Sequence, residues 1–298
     1  MTFDYTDCEK LNPSASNDNL TFVDLPSNKY LYRLSAKDQK NAKPRTPRYA
    51  FLNNSQNSSV TDVSEKKQCV VEFDVPADLQ PTVLLYYKLS NFYQNHRRYV
   101  KSLDSNQLKG KGVSPKTLEN GDCKPLASIN NTAIYPCGLI ANSLFNGESK
   151  PFLSLYRLLT ARQDTYSTLT LMNPSGSSES SQPYPLSSKG IAWPGEAKKY
   201  TTTPTGPGGY ANLSEIVPPP NWVLRYPNGY TNDDPPPDLK SDEHFQNWMR
   251  TAGLPTFTKL YGRNDADTMQ KGTYRITIGL SKCFRISLNV RCMLMFVD

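Results

Sequence analysis

The chain has 298 residues, of which 37% are hydrophobic and 24 are proline, with a net charge of +7. That length supports one large domain or two small ones with a sizeable core, and the proline content excludes a bundle of long helices. No uncharged apolar run of about 18 residues occurs, which argues against a membrane-spanning helix, and the first residues lack the basic start and apolar stretch of a secretory signal. The charge is spread thinly and describes a mildly basic soluble surface, so no nucleic-acid partner is expected. Its densest stretch, Lys37, Lys40, Lys43, Arg45 and Arg48, is broken by Pro44 and Pro47 and reads as an exposed loop.

Residues 1–68 read as mostly polar and loop-like, apart from an apolar patch at Tyr30–Leu34. Val71, Phe73 and Val75 alternate with Glu72 and Asp74, the pattern of a half-buried strand. Thr82–Leu89 is a continuous apolar and aromatic run of strand formers, which predicts a central strand. The period then changes: Phe92, His96, Tyr99, Val100 and Leu103 share one face of a short helix that Ser90 can cap.

Residues 164–210 carry Ser-, Thr-, Pro- and Gly-rich stretches (Asn173–Gly190, Thr201–Gly209) expected to be surface excursions. Pro218–Pro220 and Pro235–Pro237 predict rigid extended segments. A second helix is capped by Ser241 or Asp242, presents Phe245, Trp248, Met249 and Ala252 on one face, and stops at Gly253 and Pro255. Tyr274, Ile276, Ile278 and Leu280 then alternate with Thr273, Arg275, Thr277 and Gly279 as a strand. Strands dominate without a βαβ rhythm, so the expected fold is mainly β and antiparallel, with short helices and long loops.

Catalytic signatures are absent from the sequence. Gly110-Lys111-Gly112 and Gly206-Pro207-Gly208-Gly209 resemble phosphate loops in glycine content alone, without the required spacing. A Ser or Cys nucleophile would need one of two histidines. His96 lies on the apolar-facing side of the first predicted helix, as a packed structural residue, and His244 in the first turn of the second, where exposure is expected. Asp233, Asp234 and Asp238 cluster among prolines without calcium-loop spacing. Six cysteines (Cys8, Cys69, Cys123, Cys137, Cys283, Cys292) form no C-x-x-C pair, so neither a metal nor a cofactor is expected. Sequons at Asn19, Asn53, Asn57, Asn130 and Asn212 lie in polar, turn-rich segments, and with an even cysteine count they favour an oxidising lumen or the cell exterior. The missing signal then suggests a targeting or anchoring segment outside this chain.

Five strings carry a family resemblance: Tyr86–Gly110 (YYKLSNFYQNHRRYVKSLDSNQLKG), Ile134–Asn146 (IYPCGLIANSLFN), Pro218–Trp222 (PPPNW), Trp248–Arg263 (WMRTAGLPTFTKLYGR) and Lys271–Ile278 (KGTYRITI). In that order they resemble the ligand-effect-modulator family, the accessory β-subunits of type IV P-type ATPases, the lipid flippases. The resemblance spans residues 1–280, with long insertions about 36–66 and 160–210 like those of a fungal member.

It implies one glycosylated, lumenal or extracellular ectodomain of antiparallel, β-sandwich-like structure, non-catalytic, on the membranes of the secretory pathway or cell surface. The implied partner is the ATPase α-subunit, whose exit from the endoplasmic reticulum and phospholipid transport the subunit supports. By the same resemblance Cys8 pairs with Cys69 and Cys123 with Cys137. Closing loops of about 60 and 15 residues would stabilise the fold by roughly 4 and 3 kcal/mol.

For Asn91–Lys101 two readings stand. In one, Phe92, Tyr99 and Val100 pack inward and Arg97 and Arg98 serve internal hydrogen bonds. In the other, Arg97, Arg98 and Tyr99 contact the ATPase.

The chain departs from the family pattern at both ends. The two membrane spans are missing, and Ser281–Asp298 is an atypical tail. Phe284, Ile286, Leu288, Val290 and Cys292 alternate with polar residues and suit a strand, whereas Lys282, Arg285 and Arg291 make a poor membrane span. A shifted frame or retained intron would explain the tail, leaving Cys283 and Cys292 without family partners. The alternative functions are a secreted or cell-surface module that binds glycans or lipids without an ATPase partner, and, more remotely, a hydrolase built around His96 or His244.

Overall fold

The computed structural model describes residues 1–16, 19–33, 43–57, 60, 63–144, 169–172, 181–223, 225–280 and 291–297. The chain divides into two compact units, each assembled from separate stretches. Met1–Ser90, Asn146–Ser187 and Leu260–Asp298 form the first, and Asn91–Phe145 with Ser188–Lys259 form the second.

The strands in chain order are β1 (Thr2–Asp4), β2 (Pro13–Ser14), β3 (Val23–Asp24), β4 (Tyr30–Leu31), β5 (Arg48–Asn53), β6 (Lys67–Val75), β7 (Val83–Ser90), β8 (Ser128–Ile129), β9 (Thr132–Ile134), β10 (Leu169–Met172), β11 (Ser181–Tyr184), β12 (Ile216–Val217), β13 (Phe257–Asn264), β14 (Gly272–Gly279) and β15 (Arg291–Val297). One sheet runs β13-β7-β15-β1-β4; a second runs β11-β10-β14-β6-β5-β2, with β3 also on β5. Most pairings are antiparallel, but β2 lies parallel to β5 and β12 parallel to β9, so the architecture is mainly β without being purely antiparallel.

In the first unit the two sheets meet through aromatic rings. Phe73 of β6 lies 4.6 Å from Phe3 of β1 and 5.1 Å from Phe296 of β15, centroid to centroid, and 6.3 Å from Tyr274 on its own sheet. Around them β7 turns Val83, Leu85, Tyr87 and Leu89 inward, the alternation expected where one face of a sheet is covered. Cys8 and Cys69 are disulfide-bonded within this core, 6.0 Å apart at Cα and both fully buried.

Several expectations change. Among the described residues before β6 there are five strands: β5 buries Tyr49, Ala50, Phe51 and Leu52, which a polar neighbourhood hides from a pattern reading. β6 is buried on both faces rather than one. Glu72, on its outer face, stands directly opposite Arg48 of β5 and Arg275 of β14 and bonds both guanidinium groups. Those groups stack 4.9 and 5.2 Å from the Phe22 ring. Burial alone would raise the Glu72 carboxyl, but the two arginines outweigh it and hold it below the usual carboxylate range.

The helix expected through 92–103 shrinks to Arg97–Lys101, because Ser90 ends β7 and cannot cap it. The second helix is Glu243–Met249, capped by the Asp242 carboxylate on the Phe245 N–H, so Ala252 falls outside it. The 164–210 region carries β10 and β11 and buries Tyr184, Ile191, Tyr200 and Tyr210, so its described parts are more than surface excursions. Pro220–Trp222 forms a turn of 3-10 helix in place of a fully extended segment, and Leu280 lies beyond the end of β14. Residues 281–290, which hold most of the expected tail strand and Cys283, lie outside the described residues; β15 follows them and pairs with β7 and β1.

Replacing Phe73 by alanine removes the ring at the centre of three contacts and is expected to cost about 3–5 kcal/mol. Urea unfolding of the oxidised chain measures it, and a loss below about 1 kcal/mol would contradict the central place given to this ring.

Candidate partner-contact surface

The second unit is built on a polar framework inside an aromatic core. Gln107 is fully buried and spends its amide on three partners. Its Nε2 donates to the Ile134 carbonyl (2.8 Å) and the Tyr210 hydroxyl (3.0 Å), and its Oε1 accepts from the Cys137 N–H (2.9 Å). Trp248 donates to the Ile140 carbonyl at 2.8 Å, Trp222 to that of Ala141 at 3.1 Å, and Tyr230 to that of Tyr135 at 2.6 Å. Four of the sequence strings therefore converge here: the Gln107 segment, IYPCGLIAN, PNW and the tryptophan helix all meet in one interior.

Two glycine clusters have a packing explanation. The Gly112 N–H donates to Gly208 O at 3.0 Å, and a Cβ on Gly112 would stand 2.5 Å from Gly209 O. These loops use glycine to bring two backbones together rather than to cradle a phosphate.

Residues 92–95 leave β7 and fasten onto residues 252–255. Phe92 N–H donates to Pro255 O (3.1 Å), Ala252 N–H to the buried Gln94 Oε1 (2.8 Å), and Asn95 Nδ2 to Gly253 O (3.1 Å). Tyr93 and Leu254, on these two joined loops, are 60% and 69% exposed. The helix Arg97–Lys101 follows. Tyr99 anchors it, its hydroxyl 2.7 Å from Ser143 Oγ and its ring edge-on to Phe92, which in turn meets Trp248. Ser102, fully buried, accepts the Leu139 N–H at 2.8 Å. Gly138 packs so tightly against it that a Cβ would stand 2.0 Å from Ser102 O, at a φ of 99° that L residues avoid.

The inward-packing reading of this segment holds in part. Phe92 and Tyr99 pack inward, whereas Val100 is exposed. Arg97 and Arg98 are exposed, and among the described residues neither makes a side-chain hydrogen bond or ion pair. His96 is exposed at the start of the helix instead of packed, because the helix begins one residue after it; His244 is buried instead of exposed. Opposite the helix lies the turn closed by the Cys123–Cys137 disulfide, 5.6 Å apart at Cα. Between them is an open cleft of ≈ 580 Å³: His96, Arg97, Arg98 and Lys101 form one wall, and Gly121, Asp122 and Lys124 the other. Lys101 and Lys124 were not singled out from sequence; the position of Lys124 beside Cys123 was the available signal. Among the described residues no group of His, Cys, Asp and Glu could hold a metal ion, and no helix is long and apolar enough to cross a membrane.

A disulfide-bonded β scaffold that presents an exposed basic cleft has the character of a recognition module. Sequence comparison supplies the family. A model of the LEM3 (ligand-effect modulator 3) family, also described as the CDC50 family, matches residues 1–285, and the chain belongs to it. The chain is 41% identical over 281 residues to the phospholipid-transporting ATPase accessory subunit CDC50 of Chaetomium thermophilum, covering 93% of this chain and 62% of that protein. It is 37% identical over 282 residues to the accessory subunit CRF1 of Saccharomyces cerevisiae (94% and 60%). With cell cycle control protein 50A of Bos taurus it shares 36% identity over 218 residues (70% and 53%). The chain thus spans about 60% of the length of the fungal relatives it matches.

Buried titratable groups make this unit pH-sensitive. Burial pushes the Tyr99 hydroxyl up to about 12, against weaker opposing hydrogen bonds from Ser143, Gln94 and Trp248, and it raises Tyr135, Tyr200 and Tyr210 as well. Lys259 moves the other way. Burial, then the Arg250 charge, lowers it to about 8, although its ammonium donates to the Asn247 carbonyl at 2.7 Å and to that of Arg250. Between about pH 8 and 10 the unfolded chain holds the Lys259 proton that the folded chain has lost, so this contribution to stability rises with pH. Above about pH 10 the unfolded tyrosines ionise while the folded ones stay protonated, and stability falls. Denaturation midpoints from about pH 7 to 11 should pass through a maximum, and Lys259→Met should abolish the rise while leaving the fall. A monotonic profile in the wild type would refute the assignment.

Proposed function

We propose that this chain is the lumenal or extracellular recognition domain of a non-catalytic accessory subunit of a phospholipid-transporting P-type ATPase. In this reading it supports the ATPase's exit from the endoplasmic reticulum and its transport of phospholipid. It resides on secretory-pathway membranes, which it reaches through spans carried outside this chain, and residues 1–280 make up the ectodomain. The observation that carries the proposal is 41% identity over 281 residues to a protein named as such an accessory subunit. The alternative of a glycan- or lipid-binding module without an ATPase partner gains nothing from the named relatives.

Arg97 and Arg98 are the contact residues in this proposal. Their guanidinium groups are exposed, on a helix whose position Tyr99 and Ser102 secure from behind. Tyr99 contributes by anchoring, since its hydroxyl is committed to Ser143. Co-purification from membranes tests the proposal, in a fungal host lacking its own subunits, with the chain behind a signal peptide or given two generic spans. The ATPase should be recovered with at least one version, and Arg97→Ala with Arg98→Ala should lose most of it while the chain stays folded. Failure of both wild-type versions, with folded and oxidised chain, would defeat the proposal.

Asn19, Asn53, Asn57, Asn130 and Asn212 are proposed glycan acceptors. All five are exposed, and Asn130 lies in the two-residue hairpin loop between β8 and β9 with φ of 49°. Glycosidase treatment in heavy-oxygen water should convert these asparagines to labelled aspartates in the secreted chain. No labelled site would refute the assignment.

A further inference from the structure

Across the described residues, cations with an acidic neighbour generally pair with it. Arg45 bonds Asp74, Arg48 and Arg275 share Glu72, Lys67 meets Glu9, and Arg263 meets Asp265. The cleft on the second unit departs from this habit. Arg97, Arg98, Lys101 and Lys124 line one open space of ≈ 580 Å³, all four exposed. None has an ion-pair partner among the described residues, not even Asp122 in the same wall. Arg97 and Lys101 are four residues apart on the helix and Arg98 and Lys101 three, spacings at which like charges repel. An unrelieved cluster of this kind is a standing electrostatic cost that an anion would remove.

Both walls are also held in place before any ligand arrives. The arginine wall is fixed by the Tyr99–Ser143 hydrogen bond and by Ser102 against Gly138 and Leu139. The lysine wall is fixed by the Cys123–Cys137 disulfide, with Gln107 holding the Cys137 N–H. The segment 137–143 ties one wall to the other, so the charges face the cleft at little further cost in ordering. Two guanidinium forks beside two ammonium groups match a tetrahedral oxyanion carrying more than one negative oxygen. Arginine binds such a group bidentately and lysine neutralises it as a point charge, while the exposed His96 ring adds an N–H donor.

We propose that this cleft is a phosphate-binding subsite, taking the phosphate group either of a free small anion or of a phospholipid headgroup. The inference stands on the charges and geometry of the cleft and does not depend on an ATPase partner.

The test uses the full, oxidised chain alone, so its outcome is separate from that of the partner proposal. Potassium phosphate is titrated calorimetrically against a potassium chloride control of equal ionic strength. In parallel, phosphatidylcholine vesicles with and without phosphatidic acid are tested for co-sedimentation. Saturable phosphate binding is expected, weakened about tenfold or more by Arg97→Gln with Arg98→Gln and, separately, by Lys124→Gln. It should be unchanged by Lys109→Gln with Lys116→Gln, which removes two exposed lysines outside the cleft. Lys124→Gln alters no helix residue and decides the matter should the double arginine variant unfold. Vesicle binding that needs phosphatidic acid and is lost in the cleft variants assigns the site to a lipid headgroup; phosphate binding without vesicle binding assigns it to a free anion. Absence of saturable phosphate binding by the folded wild type, or an equal loss in the Lys109/Lys116 control, would overturn the proposal.

Discussion

The fully buried amide of Gln107 is the constraint on which the second unit turns. A buried carboxamide without partners costs about 1–3 kcal/mol per unsatisfied group, so it must find donors and acceptors together. Ile134 and Cys137 come from one short segment and Tyr210 from another 103 residues beyond Gln107, and each must present its polar atom to the same side chain. Meeting that requirement sets the turn before Gly138, and Gly138 in turn admits Ser102 at a distance no other residue permits. The exposed arginine helix begins five residues before that contact, so its position is inherited from the interior.

The first unit solves a comparable problem with apolar rings and paired charges. Phe73 joins two sheets because β1 and β15 each deliver a phenylalanine to it. On the opposite face of the same strand Glu72 is tolerated because the register places an arginine on either side. One strand therefore carries an apolar interior and a satisfied ion cluster back to back. This is why β6, read as half-buried from its alternation, is covered on both faces.

The contrast between the two charge environments bears on function. Around Glu72 the arginines are neutralised and stacked on an aromatic ring, and their role is structural. In the cleft the cations are exposed and unpaired, on elements that the core and a disulfide already hold. A charge that contributes nothing within its own chain and is nevertheless held in place is suited to something brought from outside. That physical difference separates Arg97 and Arg98 from Arg48 and Arg275.

Local pattern in the sequence was sufficient for the mainly β class, the β14 alternation, the helix capped at Ser241 or Asp242, and the strings that mark the family. Each depends on residues within a few positions of one another, where periodicity and capping chemistry act. Burial of His244 and exposure of His96 were both misjudged from sequence, since a helix that starts late or stops early changes which face is covered. The strands before β6 were hidden because β1 to β4 are only two or three residues long and β5 is set in polar sequence. The cleft itself belongs wholly to tertiary structure. Arg97 and Lys124 are 27 positions apart, and what brings them to one space is a disulfide, a buried glutamine and a glycine with no room for a side chain. Residue types and their local order determined the class of protein; long-range closure alone decided which charges stand together and unpaired.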